Sequence, residues 1–174
     1  MFEKIFAHPK TQELVRHGIE KGIDYIKDRL DKLDKPVTSE IKSYSPEVNK
    51  YISSLEELKI YKEAKLEEGE VNGKKALLKP DIDFKLKDEF GRTNLERMKN
   101  GNPPVYKNGE IIELHHVGQK PDSPFAELTS FEHRGKGNDI ILHDKAKETE
   151  IDRNAFAKER QAHWQSRAEG FERD

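Results

Sequence analysis

The chain contains no cysteine. Disulfides and thiolate metal sites are therefore excluded, and any transition-metal site must be built from His, Asp or Glu. It also lacks a strong charge bias, with a net charge of −2 over 174 residues. Nucleic-acid binders usually show a basic excess, so one of this composition has to gather its basic side chains on one face. No segment approaches the roughly 20 apolar residues of a membrane helix. The start, "MFEKIFAHPKTQELV", has no apolar block of the signal-peptide kind, so any export signal is expected elsewhere, on a larger parent protein. No internal repeat is visible. Hydrophobic residues make up 33% and charged residues 38%, which fits a modest core in one domain, or in a domain with an extension.

Residues 11–34 carry Val15, Ile19, Ile23, Ile26, Leu30 and Leu33 at three- and four-residue steps, the period of an amphipathic helix. Gly18 and Gly22 in that stretch allow a close helix contact, and "DKP" ends the helix, because Lys35, the residue before Pro36, disfavours the α region. A second helix is expected from Ser45, a capping residue followed by Pro46, to about Leu66. Both helices read as packing or docking elements, or as the end of a linker from a delivery protein. "EVNGKKALL" is a hairpin signal around Asn72–Gly73. Thr93 and Glu96 have capping-box spacing, and Gly101 closes that short helix. A second Asn-Gly turn, Asn108–Gly109, leads into the strand "EIIELHH". Phe125–Leu128 reads as a short extended piece and Thr129–Arg134 as a helical turn. "GKGND" reads as a loop, Ile140–His143 as a return to the core, and Lys147–Ala168 as a long charged helix. The expected division is a helical extension over 1–70 and an α+β unit over 71–174.

The reactive side chains concentrate in the second unit. Five of the seven histidines follow residue 110: His115, His116, His133, His143 and His163. Imidazole is the commonest protein metal ligand and the side chain that titrates near neutrality. A hydrolytic metal site needs few protein ligands, an open position, and a base to take a proton from water. Neighbouring residues on a strand point to opposite faces. One ring of a His-His pair can then bind metal while the other acts on water. His8 and His17 read as surface residues, and His163, beside Trp164, as a packing residue. On the last helix Arg153, Arg160 and Arg167 recur every seven residues, a spacing that drifts only about 20° per heptad. Such a row either follows a phosphate backbone or forms a solvated face paired with Glu150 and Glu159.

"GRTNLERMKNGNPPVYKNG", "ELHHVGQ", "AELTSFEHRG", "ILH" and "DRNAFAKERQAHWQSRA", in that order, resemble the LHH family of the HNH/endonuclease VII superfamily. The resemblance covers about residues 83–169, and "ELHH" is also similar to the motif strand of the nuclease colicins. It implies a ββα-metal, treble-clef-like core, here with a helical N-terminal extension and a long C-terminal helix. It implies metal-dependent cleavage of DNA, with Mg, Mn, Ni or Zn as the divalent ion. LHH domains typically end bacterial polymorphic toxins. The implied partners are therefore a DNA substrate, a parent delivery protein and a cognate immunity protein, and the implied place of action is the cytoplasm of a target cell after export. By position His115 matches the metal-binding first histidine and His116 the general base. His133 and His143 match the remaining family histidines, which bind metal or activate water. Glu127 occupies roughly the place where the wider HNH group often has an Asn that orients the base.

The resulting expectation gives metal binding to His115, His143 and His133, and catalysis to His116, His133 and Glu127. Phosphate-backbone contacts fall to Arg134, Arg153, Arg160 and Arg167. RNA cleavage on the same core is one alternative. A non-catalytic, metal-stabilised module that binds nucleic acid or protein is the other.

Overall fold

The computed structural model describes residues 44–173. The expected helix over 11–34, with His8, His17, Gly18 and Gly22, lies outside the described residues. The described residues form one compact unit. The division expected after residue 70 falls inside its first strand.

The expected helix from Ser45 to Leu66 is two helices, α1 (Pro46–Asn49) and α2 (Leu55–Glu63). Ser53 and Ser54 separate them. The Ser54 side chain accepts the N–H of Glu57 and caps α2, a local bond that competes with continuous helix. Strands β1 (Glu67–Val71) and β2 (Lys74–Leu78) follow, joined at Asn72 and Gly73 with φ of 54° and 71°. Positive φ at both central residues is the turn the Asn-Gly signal demands. Helix α3 (Asn94–Lys99) starts at the expected capping box, with Thr93 and Glu96 bonded reciprocally.

The second Asn-Gly turn closes on a single Val105–Ile111 bridge, not on a strand pair. Strand β3 (Ile112–His116) instead pairs antiparallel with β4 (Phe125–Thr129), and β4 runs parallel to β2. The sheet order is β1-β2-β4-β3. A second capping box, Thr129 with Glu132, turns β4 directly into α4 (Ser130–Arg134). Helix α5 (Asn138–Leu142) corrects the expected return to the core: Leu142 is buried, but Ile140 is 74% exposed. The last helix, α6 (Arg153–Arg173), starts six residues later than expected, because Asp152 accepts the N–H groups of Asn154 and Ala155 and caps it there.

Helix α6 packs on the sheet and on α3. Trp164 and Ala168 from α6 join Ile82, Met98, Ile112 and Leu114 in one core cluster. Each fully buried Ile or Met there contributes about 1.5–3 kcal/mol. The architecture is α+β: a small sheet with α6 on one face and α4, α5 and α2 towards the other.

Candidate active site and metal centre

Register sets the site. His115 lies opposite Ala126 and His116 opposite Phe125, so the pair projects to opposite faces of the β3–β4 ribbon. His115 meets His133 from α4 and His143, the residue that ends α5. One nitrogen from each of the three rings lies within 4.8 Å of the others. His133 Nδ1 donates to Glu113 at 2.7 Å, which leaves Nε2 as the free lone pair, 3.2 Å from His115 Nδ1. Arg134 holds the same Glu113 carboxylate at 2.8 and 3.0 Å. His143 Nδ1 sits 3.1 Å from Asp139 Oδ1.

These residues fit a divalent ion. Two nitrogens at about 2.0–2.1 Å from a tetrahedral ion are about 3.3 Å apart, close to the observed His115–His133 spacing. The Glu113 carboxylate on Nδ1 of His133 fixes that ring's tautomer, as metal-site histidines require, and His143 Nδ1–H donates to the Asp139 carbonyl at 3.2 Å. Burial, then the neighbouring His133, His143 and His116 rings, push the His115 pKa well below 6.5. Burial also lowers His133, against the opposing pull of Glu113. The neutral imidazole is the form that binds metal.

His116 faces α6. Its ring lies 4.6 Å from Phe125 and 4.6 Å from Phe156, centroid to centroid. Its Nε2 is buried without a hydrogen-bond partner. Glu159 Oε2 stands 3.8 Å away, beyond hydrogen-bond length. Burial lowers the His116 pKa; Glu159 opposes this and Lys74 adds to it. A neutral ring with a free nitrogen can accept a proton.

All four histidines open onto one cleft of about 510 Å³, whose walls include Arg134, Arg153 and Arg160. The other two expected residues sit elsewhere. Glu127 is fully buried beneath α6 and accepts from His163 at 2.8 Å, Arg167 at 3.0 Å and the Lys79 N–H at 2.8 Å. None of these partners is His115 or His116. Arg167 turns inward to that carboxylate and to the Lys79 carbonyl, away from the cleft. Glu113, Asp139 and Glu159 join the site beyond the residues expected from sequence. The first two were legible: Glu113 shares the face of His115 by strand alternation, and Asp139 stands four residues before His143.

Residues 93–170 match the family model LHH, described as a nuclease of the HNH/ENDO VII superfamily with conserved LHH. This stretch is similar to the LHH family over somewhat less than half of the chain. Its conserved triplet is Leu114, His115 and His116, the end of β3. The LHH stretch spans α3, β3, β4, α4, α5 and most of α6, so it contributes all three histidines of the cluster and every basic residue of the cleft. No solved structure matches the chain.

Proposed function

We propose that the LHH domain is a metal-dependent endonuclease that hydrolyses DNA phosphodiester bonds, with β3, β4 and α4 as its ββα-metal core. The observation that carries this reading is the convergence of His115, His133 and His143 beside His116 in an arginine-lined cleft. The three rings would hold the ion, which supplies charge neutralisation at the scissile phosphate. Glu113 and Asp139 orient two of the rings. His116, whose burial holds it neutral and which lines the cleft, takes the proton from the attacking water. Phe125 and Phe156 fix its plane in place of a hydrogen bond, so neither Glu127 nor an Asn is needed to orient it. Arg153 and Arg160 bind the backbone phosphates.

The biological setting we propose is that of the LHH relatives: the C-terminal toxin module of an exported bacterial protein, acting in the target-cell cytoplasm and restrained by an immunity protein. Plasmid DNA incubated with the protein and Mg²⁺, Mn²⁺, Ni²⁺ or Zn²⁺ should be nicked and linearised, and a chelator should stop the reaction. Structured RNA in parallel reads the competing polymer. Intact DNA with every metal, alongside tight metal binding, would leave a binding module instead.

A further inference from the structure

Residues 51–63 lie upstream of the LHH match, yet they form the wall behind its histidines. Glu57 is 1% exposed. Its carboxylate accepts from the Ser53 N–H and hydroxyl, both at 2.6 Å, and from the Tyr61 hydroxyl at 2.5 Å. Those three donors are local. The fourth is the N–H of Gly118 at 2.7 Å, 61 residues along the chain and in the turn that follows His116. The same turn is gripped twice more. Gly118 has φ 63°, and a Cβ there would come within 2.0 Å of the Tyr51 carbonyl oxygen. The Tyr51 hydroxyl donates to Asp122 at 3.0 Å. Tyr61, fully buried, sets its ring 6.5 Å from that of His115. Helix α2 also packs on α5, which ends at His143.

We infer that Glu57, acting through Tyr61 and the Gly118 turn, is a positioning residue for the histidine metal centre, so that the working unit of this protein begins well before the LHH segment. A metal site loses affinity when its ligands are held loosely, and the residues that orient ligands matter nearly as much as the ligands. Helix α2 touches the supports of two of the three rings. A purely structural Glu57 would need only its local donors; the bond to Gly118 fixes the strand end that carries the pair. The inference rests on reading the three histidines as a metal centre.

The test uses the full chain with Glu57→Gln and Tyr61→Phe. Ni²⁺ or Zn²⁺ alone is titrated by calorimetry at a temperature where circular dichroism shows each variant folded. Amide exchange of residues 114–122 is followed without metal. Glu57→Gln should bind metal roughly tenfold more weakly, and its 114–122 amides should exchange faster while those of α3 stay unchanged. Tyr61→Phe should shift both readouts in the same direction, by less. Metal affinity within twofold of wild type in both variants overturns the inference, even if exchange rises, because that marks a structural role alone. If Glu57→Gln does not fold, Tyr61→Phe decides by the same criteria. If the wild type takes up no metal, the reading of the three histidines fails and the inference falls with it; a wild type that binds metal with variants that bind it equally well sinks the inference alone.

Discussion

The two faces of the β3–β4 ribbon bury histidines in opposite ways. Under α6, His163 is 2% exposed, and its Nε2 is bonded to Glu127, which Arg167 and the Lys79 N–H also hold. Every oxygen there has a partner, and burial alone would raise the Glu127 pKa. The His163 bond, Arg167 and the Lys79 N–H outweigh it and hold the carboxyl below 4.5. On the other face His115 is 4% exposed with an unpartnered Nε2, and two more rings converge on it. His116, though it leans on α6, shares this unsatisfied state. A buried donor or acceptor left unpaired costs about 1–3 kcal/mol. The satisfied cluster is what holds a helix to a sheet. The unsatisfied one has chemistry left to offer, and it is the one that opens onto a cleft.

That contrast can be broken most decisively at His116. His116→Ala should lower cleavage by roughly 10²–10⁴-fold with metal affinity close to wild type, in a protein that stays folded but melts earlier because the space between Phe125 and Phe156 is emptied. Full activity in the folded variant, in a plasmid assay, removes His116 from the role of base. The opposite behaviour is expected at Glu127. Glu127→Ala leaves Arg167 and the Lys79 N–H facing a buried gap and should cost about 3–5 kcal/mol of stability, read by urea unfolding. A Glu127→Ala protein of normal stability that fails only in cleavage would move Glu127 to the catalytic side of the comparison. The same carboxylate gives a pH signature. Its folded pKa lies below 4.5, so its stabilisation is complete above about pH 4.5 and lost as pH falls through the lower folded value. Glu127→Gln should flatten the acid limb of midpoint against pH.

Smaller effects sharpen the boundary. Glu113→Gln removes the carboxylate behind His133 and should weaken metal binding about 10–100-fold, measured by calorimetry, with a modest change in stability. Arg160→Ala should reduce DNA binding uniformly across sequences and lower the magnitude of the salt slope by about 0.9. Arg167→Ala, on the satisfied face, should leave that slope unchanged and lower stability instead.

Several of these distinctions are legible in the sequence. Spacing alone placed the α3 capping box at Thr93 and Glu96, and the Asn72–Gly73 turn follows from residues that tolerate positive φ. The density of histidines after residue 110 pointed to a site, and strand alternation pointed His115 and His116 apart. The arginine row was visible as a period, but the period could not say that Arg153 and Arg160 line the cleft while Arg167 turns inward. Residues seven apart share one face of a helix, but the groups that face it change along its length: the cleft at Arg153 and Arg160, the Glu127 carboxylate at Arg167. Glu127 looked like a site residue from its place in "AELT", and its partners come from residues 79, 163 and 167.

The sequence by itself determined the local devices, the ligand chemistry that a cysteine-free chain could use, and the stretch of chain in which it would be found. Those are short-range matters, settled by φ preference, alternation and residue type. Tertiary structure alone decided which buried polar groups are satisfied and which are left free. It brought Glu113 behind His133, set Glu159 at 3.8 Å from His116, and sent the Gly118 N–H to Glu57. Hydrogen-bond satisfaction is a sum over partners distant in sequence, and only the packed chain fixes that sum.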